Sequence, residues 1–337
     1  MILVPILVLL VAMQGPDALS EKAQKLALEK RFDEAEALWR EAINRSPDFF
    51  PALFNLGLMY HSTGRFEPAV PWLMEAARVS PGDFNTRYLL GASLAKLDRH
   101  DEALKQWRSA LKLRPKNVQL MQVMVTEYEK GRYFQEAASL ARLALELQSD
   151  NANAYFFAIK AHQDAGDYAT ALQIAGRAAQ KFPESARANF EYGFHLQKVG
   201  RMEESLQALQ KAMLADPAYE EPFFFYGDLL VRQGRDEDAI PYLRKAIRNR
   251  ADYVPARVTL SRALMNLTKW PEAIAELEQA IRLDPRHPQP HLLLSQIYFR
   301  QGDEAKAEVE KEISLRLRRE NPTILEAPQG RPFADVP

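Results

Sequence analysis

Six histidines, 45 carboxylate side chains and no cysteine are the groups that could carry reaction chemistry in this 337-residue chain. Without a thiol, disulfides, zinc–thiolate sites, cysteine nucleophiles and a lipid-modified N-terminal cysteine are excluded together. His287 and His291 have the four-residue spacing of a helical metal pair. Pro288 and Pro290 lie between them and are read as preventing a helix that would align the rings, so no metal site is expected. His162 falls in register with Tyr60 and Tyr128 and reads as a packing residue. The carboxylate runs Asp33-Glu34 and Asp236-Glu237-Asp238 stand where helices are expected to begin, an end at which negative charge is favourable. No Ser/His/Asp order, phosphate loop or dinucleotide fingerprint is present. The expectation is a chain with no catalytic residues, no metal and no cofactor.

Charge narrows the partners. Lys+Arg (44) and Asp+Glu (45) nearly cancel, for a formal charge of -1. A protein that neutralises many phosphates needs a basic excess, so nucleic acid is not expected as a partner. The basic runs Arg244-Lys245 and Arg316 to Arg319 have acidic neighbours and read as solvated surface. Met1 to Met13 is uncharged and apolar apart from one proline. It is shorter than the roughly 20 residues that span a bilayer as a helix, and it is followed by small or turn-forming residues at Gln14 to Ala18. Residues 1–18 therefore read as a signal-like segment, although no Lys or Arg precedes the apolar run. Export to the periplasm or beyond is the leading expectation. A membrane tether formed by the retained segment, or a strap on a cytoplasmic protein, is the alternative.

What would have to position any functional group is a repeat. Pro47, Pro81, Pro115, Pro183, Pro217 and Pro285 are separated by 34 residues or twice that, with Ser149 and Ala251 in the vacant slots. Alanine keeps the same step at Ala35, Ala69, Ala103, Ala137, Ala171, Ala239, Ala273 and Ala307, interrupted only by Ser205. A second alanine series runs seven residues later, from Ala42 to Ala280. Gly57, Gly91, Gly193 and Gly227 mark one place in the unit, and Gly64, Gly166, Gly200, Gly234 and Gly302 mark another. In one unit, Ala52 to Ser62 has helical apolar spacing, Gly64-Arg65 breaks it, and a second helix begins near Glu67. The alanines are small where two helices cross closely, and Trp39, Leu73, Trp107, Leu209, Leu243 and Leu277 fill the space beside them. Two units depart: Val125 and Ser261 replace the first glycine, Gly131 comes one place early, and Trp270-Pro271 occupies a turn.

This pattern resembles the tetratricopeptide repeat, a 34-residue helix–turn–helix unit, over roughly residues 16 to 319. The resemblance implies an all-α fold: a right-handed superhelical solenoid of about nine repeats over residues 19–320. Glu304 to Glu320 forms a C-terminal capping helix with an apolar stripe at Ala305, Val309, Ile313 and Leu317. Asn321 to Pro337 carries four prolines and no helical period, and is expected to be a disordered tail.

By the same resemblance, the first helix of every unit lines a concave groove that holds another protein or an extended peptide. Projected onto this chain, the groove candidates are Phe54, Asn55, Tyr88, Phe156, Lys160, Arg187, Phe190, Glu191, Phe194, Phe224, Phe225, Asp228 and Arg262. Rings bury much area at small entropic cost and the polar groups fix peptide register, although several rings could equally be inter-helix core. Family members that clamp a chaperone's C-terminal carboxylate use Lys, Asn and Arg on three consecutive units. Here Ser20, Gln24, Asn55, Asn85 and Leu89 stand at those places and only Asn55 matches, so that clamp is not expected. The function expected is a non-catalytic interaction scaffold. The alternative is a structural subunit of a secretion or cell-envelope assembly that makes contact through its convex face or its tail.

Overall fold

A 34-residue step that alternates apolar stripes with turn residues should produce helix pairs, and the computed structural model shows them with little variation. It describes residues 15–320; the signal-like segment up to Gln14 and the proline-rich tail from Asn321 lie outside the described residues. Described residues form helices and turns only. Numbered in order, the helices are α1 (Pro16–Leu28), α2 (Phe32–Arg45), α3 (Phe50–Ser62), α4 (Phe66–Val79), α5 (Phe84–Lys96), α6 (His100–Leu113), α7 (Val118–Lys130), α8 (Phe134–Leu147) and α9 (Ala152–Asp164). They continue with α10 (Tyr168–Lys181), α11 (Ala186–Lys198), α12 (Met202–Ala215), α13 (Glu220–Arg232), α14 (Asp236–Asn249), α15 (Val254–Asn266), α16 (Trp270–Leu283), α17 (Pro288–Arg300) and α18 (Glu304–Glu320). The chain divides at Gly166/Asp167 into two compact units, unit 1 with α1–α9 and unit 2 with α10–α18.

Each turn between paired helices needs one residue in the left-handed region, and the period fixes where it falls. Lys30, Gly64, Asp98, Arg132, Gly166, Gly200, Gly234, Thr268 and Gly302 all have positive φ and follow one another at the repeat step. Glycine is the usual solution because it lacks a Cβ, yet four of these turns form with a side chain present. Gly131 is therefore not the turn residue: its φ is -73° and Arg132 takes the left-handed place. Likewise Trp270 and Pro271 open α16, and Thr268 makes the turn. The residue preceding the second helix is repeatedly an arginine that bonds an acid three residues on: Arg31 to Glu34, Arg99 to Glu102, Arg201 to Glu204 and Arg235 to Asp238.

Packing within a pair depends on matched sizes. A Cβ added at Gly57 would come 2.6 Å from Leu73 Cγ, at Gly193 2.9 Å from Leu209 Cγ, and at Gly227 2.7 Å from Leu243 Cγ. Gly91 is likewise covered by the Trp107 ring, whose Nε1 donates to the Tyr88 carbonyl at 3.0 Å. Where Val125 replaces the glycine, the facing position sixteen residues on is Ala141, and both are fully buried. The volume lost on one helix is gained on the other, so close packing survives the exchange.

The last helix corrects the expected stripe. Of Ala305, Val309, Ile313 and Leu317, only Leu317 is buried, and Val309 is 55% exposed. The face against α17 is Ala307, Glu310, Ser314 and Leu317: Ser295 Oγ donates to the Ala307 carbonyl at 2.7 Å and Ser314 Oγ to the Pro288 carbonyl at 2.9 Å. Ala307 belongs to the repeated alanine series. The register of the repeat, rather than the local apolar stripe, selects the packed face.

Candidate functional site

Odd-numbered helices meet their successors as well as their even partners: α1 meets α3, α3 meets α5, and in unit 2 α11, α13, α15 and α17 meet in sequence. Among the described residues no even-numbered helix approaches the next even one as closely. The odd helices thus crowd to one side within each unit, and their free faces form its inner face.

On the inner face of unit 1, Phe54 and Asn55 of α3 and Tyr88 of α5 are half-buried, with surface left for a ligand. Their rings are steadied within their own helices, Phe54 on Phe50 at 5.8 Å and Tyr88 on Phe84 at 6.0 Å. His61 Nδ1 lies 2.9 Å from Ser93 Oγ and ties α3 to α5. Burial, with help from the Lys96 charge, lowers the His61 pKa and keeps the imidazole neutral there. Lys160 of α9 is exposed and bonds Asp164 at 2.7 Å and Glu129 of α7 at 3.4 Å. Burial opposes its charge, but those two carboxylates outweigh burial and raise its pKa. Phe156 is buried, leaving 8% exposure.

Unit 2 differs. Phe190 and Phe194 of α11 and Phe224 and Phe225 of α13, read from sequence as groove rings, are core residues with at most 4% exposure. The cause is contact between successive odd helices: Phe225 meets both Phe190 and Phe194 at 5.4 Å, and Phe224 meets Tyr253 at 5.1 Å. A ring closed over in this way supports the inner face from behind and offers a partner almost no area. The groups beside these rings are charged and are themselves partly or fully buried. Asp228 is buried and Arg232 Nε holds it at 2.8 Å, while Arg187 and Arg262 are half-buried.

The sequence projection found Arg187 and Glu191 but missed the groups around them. Arg187 Nε lies 3.9 Å from Glu191 Oε1, and His195 Nε2 lies 3.9 Å from Glu191 Oε2. His195 has no exposed surface, and neither ring nitrogen has a hydrogen-bond partner. Tyr219, whose ring packs on Phe190 at 5.4 Å, also has an enclosed hydroxyl without a partner. Burial pushes the Glu191 carboxyl up to about 7; Arg187 opposes that shift and Glu221 adds to it. Burial, then Glu220, pushes Glu221 up to about 7. Burial, then the Lys198 charge, lowers His195 to about 4. Burial likewise drives the Tyr219 and Tyr253 hydroxyls well above the phenol range, with Glu221 the next cause for both. The four-residue steps Arg187, Glu191, His195 were the available signal, since they place three ionisable groups on one helix stripe.

The proline-flanked histidines also need correcting. Pro288 and Pro290 do not prevent a helix; they begin α17, where first-turn N–H groups have no intrahelical acceptor and a proline costs little. His287 caps that helix, its Nδ1 accepting from the Gln289 N–H at 3.2 Å, and His291 Nδ1 lies 2.7 Å from Glu310. Among the described residues no group of three or more His, Cys, Asp or Glu side chains could hold a metal ion. Nor is any described helix long and apolar enough to cross a membrane.

One family model described as tetratricopeptide repeat matches residues 25–84, 195–254 and 258–313, more than half of the chain, and a second of the same description matches 162–224. The chain belongs to the tetratricopeptide repeat family. Neither matching model is that of an enzyme family. Among solved structures, the chain in Naa15/Naa10 bound to HypK-THB shares 15% identity, over 92% of this chain and 64% of that one, with a TM-score of 0.53. MamA from Desulfovibrio magneticus RS-1 shares 18% over 50% of this chain and 96% of its own, with a TM-score of 0.46. YrrB, described as a tetratricopeptide protein with an unusual peptide-binding site, shares 20% over 55% of this chain and 95% of its own, with a TM-score of 0.44. At these identities the likeness concerns the fold. No curated protein matches the sequence.

Proposed function

We propose that this tetratricopeptide protein is a non-catalytic scaffold that holds an extended segment of a partner protein along the inner faces of its odd helices. Membership of a family of protein-interaction scaffolds supports the class of function. The observation that carries the site is the free face of α3 and α5, where Phe54, Asn55 and Tyr88 keep exposed surface on helices fixed by packing. Half-exposed rings on a rigid frame bury area on binding without a large ordering cost. The right-handed sense of the superhelix and export through the signal-like segment belong to the same proposal; the second rests on the composition of Met1 to Met13.

Site-specific photocrosslinking tests the face. A photoreactive residue at position 54 or 88 should capture a partner in native extract. One at the outward positions Met74 or Leu214, on even helices and 53% and 76% exposed, should not. Capture from the even-helix positions alone would move the interface to the convex side, as an assembly subunit would require. For export, the fate of an N-terminal fusion decides: a reporter active only outside the cytoplasm should report with residues 1–18 and fall silent without them.

A further inference from the structure

Many basic side chains of this protein have an acid at hand. Arg31, Arg99, Arg201 and Arg235 each bond an acid three residues on, and Arg244 reaches Glu272 at 2.7 Å and Arg257 reaches Glu276 at 2.6 Å. One stretch of unit 1 departs from this. Residues 103–126, from α6 into α7, hold Lys105, Arg108, Lys112, Arg114 and Lys116 and no Asp or Glu. All five cations are exposed, and among the described residues none of them forms an ion pair. The acids at the borders are engaged elsewhere: Glu102 with Arg99, Asp101 with the Tyr133 hydroxyl at 2.8 Å, and Glu127 with His100 and Lys130.

The repeat does not ask for these charges. The place of Lys116 is taken by Asp150, Glu184 and Asp252 in other repeats, and that of Arg114 by Asp216 and Asp284, which accept from the N–H groups of Ala218 and Arg286. The counterpart of Lys112 is Arg78, which Asp48 and Glu75 hold. The negative end of the α6 dipole favours cations in the last turn, which accounts for Lys112 and Arg114 but not for Lys105 or Lys116. Both arginines are oriented by neutral groups: Arg108 Nε donates to the Tyr128 hydroxyl at 3.0 Å, and the Arg114 guanidinium lies 4.1 Å from the Phe84 ring centre. They are positioned without being neutralised. Lys105, Arg108 and Lys112, at steps of three and four, share one face of α6. Leu113, between two of the cations, is 41% exposed. One repeat later α8 exposes Leu143 and Leu147 beside Arg142, with Glu136 and Glu146 as its exposed acids.

We propose that the outer side of α6 and the α6–α7 turn form a contact with an anionic phospholipid surface: the five cations meet lipid head groups, and Leu113 enters the interface between them. Exposed cations without counter-charges gain from a partner that brings negative charge, and a lipid surface spreads that charge in a plane. A plane suits a ridge on an even helix, on the side away from the inner face. The exposed leucine points the same way, because a bilayer accepts an apolar side chain among basic ones and a nucleic acid offers it nothing. Each Lys or Arg close to an anionic surface contributes about fivefold to binding. The contact is independent of the inner-face reading and leaves that face free.

Flotation of the full chain with vesicles tests this, using phosphatidylcholine alone and phosphatidylcholine mixed with phosphatidylglycerol. Met1 to Met13 is uncharged in its side chains and does not distinguish the two, so the readout is the preference for the anionic vesicles. The wild-type chain should show that preference, and rising salt should weaken it. Lys105→Gln/Lys112→Gln/Lys116→Gln should lower it about tenfold or more at an unchanged thermal melt, since these side chains make no ion pair in the fold. Leu113→Gln should weaken binding to the anionic vesicles about threefold or more, and should leave binding to duplex DNA and to a polyglutamate peptide unaltered. Absence of the preference, or its survival in the triple variant, overturns the contact. Tighter binding of DNA or polyglutamate than of the vesicles, or vesicle binding indifferent to Leu113→Gln, overturns the lipid as the partner.

Discussion

Two inner faces, built on one repeat, put similar rings to opposite uses. In unit 1 the rings pair along a single helix, Phe50 with Phe54 and Phe84 with Tyr88, and the second of each pair remains half-exposed. In unit 2 the rings reach across, from α11 to α13 and from α13 towards α15, and close one another off from solvent. Unit 1 thereby presents aromatic area, and unit 2 closes its rings into the core. The difference comes from what each ring meets: a ring stacked on its own helix has a free face, and one wedged between helices has none.

Truncating rings should make this difference measurable. Phe225→Ala empties a site touched by Phe190, Phe194 and Phe224 and should cost about 3–5 kcal/mol in denaturant unfolding. Trp107→Ala, which uncovers Gly91 and breaks the bond to the Tyr88 carbonyl, should cost a similar ~3–5 kcal/mol in unit 1. Phe54→Ala should cost less, about 1–2 kcal/mol, because part of the ring is already solvated. Equal losses at Phe225 and Phe54 would erase the distinction between the faces.

The electrostatic half of the comparison has a pH signature. Glu191 and Glu221, raised from 4.5 to about 7, are harmless below pH 4.5, and their penalty on folding grows as pH rises towards 7. His195 runs the other way: lowered from 6.5 to about 4, it contributes fully above pH 6.5 and loses its contribution as pH falls towards 4. Replacing both carboxylates by amides removes the first term only. Glu191→Gln/Glu221→Gln should therefore be more stable than the parent at pH 8, on the order of 1–3 kcal/mol, and indistinguishable from it at pH 4.5 in thermal melts.

Smaller effects should come from the turns. Unit 1 places Lys30, Asp98 and Arg132 in the left-handed region, whereas the corresponding turns of unit 2 use glycine except at Thr268. Arg132→Gly should stabilise unit 1 by roughly 0.5–1 kcal/mol, because strain at positive φ outweighs the entropy glycine loses. Gly234→Ala should destabilise unit 2 by about 1 kcal/mol. A shift in the midpoint of chemical denaturation, at unchanged slope, reads both. Opposite signs would mean that strain at these turns is relieved elsewhere.

The sequence by itself determined the pairing of helices, the place of every turn between partners and the small-against-large packing within each pair. These features repeat at one interval, and the repetition is visible even where a residue departs: Arg132 and Thr268 take a turn for which glycine is the usual choice. It also contained the answer for α18, since Ala307 lies on the alanine series while Val309 lies off it. The contacts between one pair and the next were decided by the tertiary structure alone. Whether Phe190 and Phe225 line a groove or seal a core depends on how closely α11 approaches α13, and no local pattern encodes that distance. The same approach gathers Glu191, His195, Tyr219 and Glu221, from two helices and the turn between pairs, into one place. A period specifies what each unit packs against internally, because those residues are near in sequence. The surface a partner meets is assembled between units, where residues some 30 positions apart set each other's burial and charge.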